Sequence, residues 1–237
     1  MIRLFVEAPL GSEAAVPVSP AQAHYLGGVM RAKTGEHVLL FNGRDGEWDG
    51  EIVELAKAKG VVACRHQTRP QTPEPDLWLL AAPIKRDRID LVAEKAGELG
   101  ASALWPVFTR RTQMTRVNQD RLRAHLMEAA EQCERLTVPD LMPPVPLDAA
   151  LAGWPEDRIL LFLDETREAP PLAEVVAALP PDAKLAVLIG PEGGFDPKER
   201  QHLLAHSFVR PAHLGPRVLR ADTAAIAALA VVAAMRI

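Results

Sequence analysis

The sequence predicts an α/β fold, a mainly parallel sheet flanked by helices, preceded by a small β-rich barrel. Three observations carry this. From Leu77 onward, continuous apolar runs of strand length alternate with longer stretches of helical period, as in a sheet covered on both faces. Before residue 70 the apolar runs are short and joined by turn-forming residues. Between them, Gln67-Thr-Arg-Pro-Gln-Thr-Pro-Glu-Pro-Asp76 holds three prolines and no apolar side chain. Proline removes a ladder donor and disfavours helix at the residue before it, so 67–76 reads as an extended linker. The expected units are 1–70 and 77–237.

In the first unit, Ile2–Val6, Glu36–Phe41, Trp48–Leu55 and Gly60–Arg65 read as strands. Asn42-Gly43-Arg44-Asp45-Gly46 supplies the residues that tolerate positive φ in a hairpin. A short helix starts at Pro20, with Ser19 as its N-cap. In the second unit, Leu77–Ala82, Ala103–Val107, Ile159–Leu163 and Leu185–Ile189 read as buried strands. Asp87–Leu99 sets Ile89, Val92, Ala93, Ala96 and Leu99 on one helical face, and Gly100 stands where a C-cap belongs. Asn118 caps a helix whose stripe is Leu122, Leu126, Ala129 and Cys133. Asp196-Pro-Lys-Glu199 opens another helix with a cap, a first-position proline and an acid three residues on. Ala221–Met235 is the last.

Composition removes several classes. The 237 residues are 48% hydrophobic and 24% charged, which argues against disorder and coiled coil. The longest uncharged apolar run, 224–235, is far short of the ~20 residues that span a bilayer. No secretory core follows the N-terminus. The two cysteines, Cys64 and Cys133, stand outside any CxxC and are expected as reduced thiols in the cytoplasm. Net charge is −4, so a polyanionic partner must be met by a local patch. One such patch runs from Phe108 to His125, where Arg110, Arg111, Arg116, Arg121 and Arg123 face one acid, Asp120. Lys85, Arg86 and Arg88 add to it, with Arg31 and Lys33 in the first unit. A phosphate-backbone footprint and ordinary surface charge both account for this stripe.

Two loops carry candidate chemistry. Gly190-Pro-Glu-Gly-Gly-Phe195 follows a buried strand and precedes a capped helix. Leu214-Gly-Pro-Arg-Val-Leu-Arg-Ala-Asp-Thr223 also leads into a helix. In an open parallel sheet, ligands bind beyond the carboxyl ends of strands, and adjacent glycines let backbone approach a ligand closely. Neither loop matches GxxxxGK[ST] or GxGxxG, and no GxSxG occurs. His202 and His206 lack a third ligand nearby in sequence and read as a solvated helix face. Cys133 reads as core, and Asp164-Glu165 as a solvated loop.

Ile189-Gly-Pro-Glu-Gly-Gly-Phe195, followed by Leu214-Gly-Pro-Arg-Val-Leu-Arg-Ala-Asp-Thr-Ala224, resembles the ribosomal RNA small subunit methyltransferase E (RsmE) family. Lys85-Arg-Asp-Arg-Ile-Asp90 with Glu94–Gly100, Glu131–Arg135 with Val138-Pro139, and His24–Arg31 with Phe41-Asn-Gly43 extend the likeness over nearly the whole chain. Glu94, Glu134 and Asp222 stand where the family more often carries Gln, Gly and Glu. The resemblance implies a PUA-like β-barrel RNA-binding domain over 1–70. Over 77–237 it implies a SPOUT methyltransferase domain, an α/β parallel sheet with a C-terminal trefoil knot. Knots are nearly absent from folds in general. It further implies S-adenosyl-L-methionine as cofactor, no metal, a homodimer through the SPOUT domain, and 16S rRNA of the small ribosomal subunit as substrate, methylated at N3 of a uridine.

On this likeness the cofactor is held by Leu163, Gly190, Pro191, Glu192, Gly193, Gly194, Leu214, Gly215, Val218, Leu219 and Thr223. Arg220 and Arg217 are the candidates for stabilising charge on the uracil oxygens, while Glu192 or Asp222 accepts the proton or orients an arginine. Arg31, Lys85, Arg88, Arg110, Arg111 and Arg135 are the candidate RNA contacts. Two other functions stay open at this stage: a non-catalytic RNA-binding assembly factor, and a SPOUT methyltransferase acting on another RNA or atom.

Overall fold

The computed structural model describes residues 1–166 and 168–236, without the side chain of Arg86, a member of the basic stripe. The chain divides into two compact units, 1–73 with 130–138, and 74–129 with 139–237.

The first unit is built on five strands, β1 (Arg3–Phe5), β2 (Ala15–Val18), β3 (His37–Phe41), β4 (Glu47–Ala56) and β5 (Lys59–Arg69), in the order β1-β3-β4-β5-β2. The Asn42–Gly46 hairpin joins antiparallel β3 and β4, with Gly43 and Gly46 at φ of +78° and +75°. Two differences from the sequence reading have clear causes. β5 continues to Arg69, through the start of the expected linker, because paired β4 extends to meet it. β2 carries no clear strand signal, because its Ala-Val-Pro-Val run is short and contains a proline, which an edge strand tolerates. Helix α1 (Pro20–His24) begins in a full capping box between Ser19 and Gln22 and widens into a π turn over Tyr25–Val29.

Arg3 explains why residues 130–138 group with this unit. Its Nε donates to Glu47 at 2.8 Å and its guanidinium lies 4.4 Å from the Phe41 ring centroid. Nη1 donates to the carbonyls of Ala130 and Glu131, and Nη2 to that of Arg135. A buried cation thus meets several carbonyls in the segment 130–135 at once.

The second unit is a parallel sheet in the order β12-β10-β11-β6-β7-β8, with β9 also on β7. Its elements are β6 (Leu77–Ala81), α2 (Arg86–Glu98), β7 (Ala103–Phe108), α3 (Gln119–Gln132), β8 (Asp140–Leu141), β9 (Val145–Pro146), α4 (Leu147–Ala152), β10 (Arg158–Leu163), α5 (Leu172–Ala177), β11 (Lys184–Ile189), α6 (Pro197–Leu204), β12 (Val209–Ala212) and α7 (Ala221–Met235). Asn118 caps α3 by accepting from Arg121 N, and Asp196 caps α6 by accepting from Lys198 N. Helices α4 and α5 and strand β12 have no clear signal in the sequence. The helices are too short for a clear period, and β12 contains Pro211, which its edge position allows. Cys133 is exposed, not core, because α3 stops at Gln132 and Glu134, at φ +62°, turns the chain away. Among the described residues no helix is long and apolar enough to cross a membrane.

Candidate functional site

Strands β12, β10 and β11 are neighbours and parallel, so the loops after them leave the sheet along one edge. There they enclose a cleft. One part, about 440 Å³, is walled by Gly190–Gly194 after β11 and by Val218–Ala221 after β12. Leu163 at the end of β10 and Glu165 just after it line both this part and a narrower continuation lined by Leu214, Gly215 and Arg217. The structure therefore brings together Leu163, Gly190, Pro191, Glu192, Gly193, Gly194, Leu214, Gly215, Val218 and Leu219. Thr223 does not join them. Ala221 and Ala224 turn toward the cleft from the first turn of α7, which leaves Thr223 exposed on the other side.

Backbone geometry shapes this cleft. Gly194 has φ +67° and its N–H closes a turn onto the Pro191 carbonyl at 2.9 Å. A Cβ on Gly190 would come within 2.6 Å of the Phe195 ring, and one on Gly194 would strike the Glu165 carboxylate. The Phe195 ring packs edge-on against Phe162 at 4.9 Å. Glu165 accepts from Phe195 N at 3.1 Å, and Arg111 Nη1 donates to the Gly193 carbonyl at 2.9 Å, so the glycine loop is held from both sides. The opposite wall is less tied. The N–H groups of Leu219 and Arg220 have no acceptor among the described residues, and Val218 is 73% exposed at the mouth.

Asp164 departs from the solvated loop that the sequence suggests for Asp164-Glu165, whereas Glu165 is exposed. Asp164 is only 3% exposed and accepts from Arg200 Nε at 2.9 Å and Thr166 N at 3.1 Å. Burial pushes its carboxyl up, but the hydrogen bonds from Arg200 and Thr166 outweigh this and hold it below the usual range. Its position at the carboxyl end of a buried strand was the available signal.

Beside the cleft lies a second hollow of about 420 Å³, lined by Ile84, Lys85, Arg88, Gln113, Glu192, Arg220, Ala221 and Asp222. Arg88 is ion-paired with Asp222, whose other oxygen accepts from Thr223 N at 2.9 Å. The side chains of Lys85, Glu192 and Arg220 carry no hydrogen bond or ion pair among the described residues. Arg220 and Glu192 thus stand free at the junction of hollow and cleft, whereas Asp222 is committed to Arg88. Arg217 lies apart, in the narrower part of the cleft.

The basic stripe is largely neutralised. Arg110 reaches Asp196 at 3.4 Å, Arg121 pairs with Asp90, and Arg123 reaches Asp120 at 3.5 Å. Arg31 is exposed in the first unit at φ +58°, and Arg135 there donates to Thr137 at 3.4 Å. His202 and His206 stack edge to face at 4.8 Å, and no metal-ligating group of three occurs among the described residues.

Glu199, buried on α6, supports the same region. One carboxylate oxygen accepts from Arg110 N at 3.0 Å and the other has no partner among the described residues. Burial pushes its carboxyl above the usual range. A raised native value favours the folded state below the ordinary glutamate range and loses that advantage as pH climbs. Melting curves of the native chain and Glu199→Gln from pH 4.5 to 8 should therefore converge at the acid end and separate toward neutrality, with the Gln variant relatively more stable there. Parallel curves would deny Glu199 this role.

Comparisons with known proteins place these features in a group. The RNA methyltransferase domain family matches residues 71–233, and the RNA methyltransferase PUA domain family matches 18–63. Ribosomal RNA small subunit methyltransferase E of Rickettsia conorii is 31% identical over 96% of this chain and 93% of its own length. The protein of the same name from Synechocystis is 30% identical over 94% of this chain and 74% of its own. A structure from Legionella pneumophila, described as a methyltransferase in complex with the bound cofactor SAM, is 30% identical, has a TM-score of 0.88 and covers 98% of this chain and 97% of that one.

Proposed function

Because this chain belongs to the ribosomal RNA small subunit methyltransferase E family, we propose that it carries the methyl group of S-adenosyl-L-methionine to N3 of one uridine in the 16S rRNA of the small subunit. The observation that carries this reading is the convergence of the two glycine-bearing loops on one cleft, with unpaired Arg220 and Glu192 at its edge.

The residues present fit that cofactor. Leu163, Leu214, Val218 and Leu219 supply an apolar slot for a flat ring. The free N–H groups of Leu219 and Arg220 suit acceptor atoms on its edge, and Gly190 and Gly194 keep the facing wall clear of side chains. When bound, S-adenosyl-L-methionine supplies a methyl group on a positively charged sulfur.

The remaining work falls to this chain. Uridine N3 lies on the Watson–Crick edge, so the base must be unpaired and turned into the hollow. As N3 loses its proton, negative charge grows on the two flanking carbonyl oxygens. Arg220 would meet that charge, and the hollow's walls would fix the ring for in-line attack. Glu192 is the carboxylate free to take the proton, while Asp222 orients Arg88. Arg31, Lys85, Arg88, Arg110, Arg111 and Arg135 are assigned to the RNA, with Lys85 the least encumbered on the hollow's rim.

We further assign residues 1–70 to RNA binding and 77–237 to a SPOUT domain with a C-terminal trefoil knot. A homodimer through that domain would cover α7, which beyond its first turn is apolar all round yet half-exposed at Ile226, Ala227, Ala230 and Val231. The protein would work in the cytoplasm, where its substrate is assembled.

The test is transfer of tritium from labelled cofactor to small subunits that lack the modification, followed by mass spectrometry of the nucleosides. The expected product is 3-methyluridine. A different methylated nucleoside would assign another atom or base, and no transfer at all would favour the non-catalytic assembly role.

A further inference from the structure

One cavity of the second unit plays no part in the chemistry above. It measures about 590 Å³ and opens between the loop after β6, the start of α2, and the irregular segment joining β7 to α3. Its floor is apolar, with Ile84, Ile89, Met114 and Leu122 among its walls. Its polar lining is Asp90, Arg116, Asn118 and Arg121, with the Asp90 carboxylate paired to Arg121.

Continuity ties this cavity to the active site. Ile84 lines both the cavity and the Arg220 hollow. That hollow in turn shares Glu192, Arg220 and Ala221 with the donor cleft. All three lie beyond the carboxyl ends of parallel strands, so they adjoin one another along the sheet edge.

The geometry points to the cavity as a subsite for the base of a nucleotide neighbouring the methylated uridine, an inference that rests on reading the Arg220 hollow as the place of methyl transfer. A polynucleotide whose target base enters the hollow must carry its neighbours along the same sheet edge. A base needs an apolar surface against its face, which the floor offers. Its edge carries carbonyl and ring-nitrogen acceptors. Asn118 accepts from Arg121 N through Oδ1, which leaves its Nδ2 donors without a partner among the described residues. The adjoining phosphate needs a cation. Arg121 is already paired with Asp90, whereas Arg116 is exposed and has no partner among the described residues. The polar lining therefore offers one free guanidinium, enough for one phosphate.

Two variants of the full chain test this, with undermethylated small subunits as the RNA probe. Met114→Trp, which fills the floor, should weaken subunit binding about tenfold, the order of one lost base–surface contact. Arg116→Ala should lower the slope of log affinity against log salt by about one phosphate's worth, a readout that a structural role would not move. Cofactor affinity by calorimetry should stay within about twofold in both. In subunits carrying 4-thiouridine beside the target, crosslinks should map to residues 114–122.

Unchanged subunit affinity and salt slope in both variants, or crosslinks elsewhere, would overturn the subsite while leaving the proposed activity intact. A change of mass in light scattering with subunit affinity unaltered would make the cavity an interface between copies, and would also overturn it. A native chain that methylates no small subunit would remove the activity and this inference together.

Discussion

Arg220→Ala is expected to slow methyl transfer about 10²–10³-fold under saturating cofactor and subunits, equivalent to about 3–4 kcal/mol of transition-state stabilisation. The size follows from the site. Arg220 stands where the cleft meets the hollow and makes no ion pair among the described residues, so its charge is not already committed to an acid. Loss of the N3 proton puts negative charge on two uracil oxygens, and a cation aimed at them stabilises the transition state more than the neutral ground state. Single-turnover methylation should therefore fall far more than cofactor affinity, which calorimetry should find within a few-fold of native. Arg220→Lys should recover part of the rate, because the charge returns without the planar fork. If turnover survives in the Ala variant, or only cofactor affinity drops, Arg220 is a binding residue and the electrostatic role passes elsewhere.

Gly194→Val is expected to abolish measurable cofactor binding at concentrations that saturate the native chain. Two costs coincide at this residue. Its φ of +67° lies in the left-handed region, where a β-branched side chain is strained by about 1–2 kcal/mol or more. The added Cβ also strikes the Glu165 carboxylate, which must move and release the N–H of Phe195. Either response shifts the glycine loop into or out of the cleft. Gly193→Ala is the matched control. A Cβ there meets Arg111 at 3.6 Å, ordinary contact, and no positive φ is involved. Native-like binding by Gly194→Val in a chain with an unaltered melting curve would remove this loop from the cofactor site.

The parts of this molecule that sequence reading found share a physical basis in local signals. Apolar runs such as Leu185–Ile189 and Ile159–Leu163 fold as buried parallel strands because nothing but a doubly covered sheet hides them. Ser19, Asn118 and Asp196 cap helices through bonds to backbone two or three residues away. The parts it missed depend on distant partners. Asp164 looks like any loop acid until Arg200, 36 residues on, is seen to bury and pair it. Cys133 continues an apolar stripe, yet the helix ends before it. Even the basic stripe is reduced by acids such as Asp90 and Asp196 that no local charge count assigns to it.

For the site, the two glycine-bearing loops, the second of which carries Arg220, stand out in the sequence, because turn chemistry and motif likeness reside in short strings. The sequence by itself determined the α/β alternation, the strand-end loops and the residue types able to hold a positively charged sulfur donor. Only the tertiary structure decided that β12, β10 and β11 are neighbours, and hence that residues as far apart in the chain as Leu163 and Leu219 wall one cleft. It also decided which charges stay free, leaving Arg220 and Glu192 unpaired while committing Asp222 to Arg88. The reason is range: backbone preference acts over a few residues, whereas pairing and desolvation depend on which distant groups the packed sheet brings within a few ångströms.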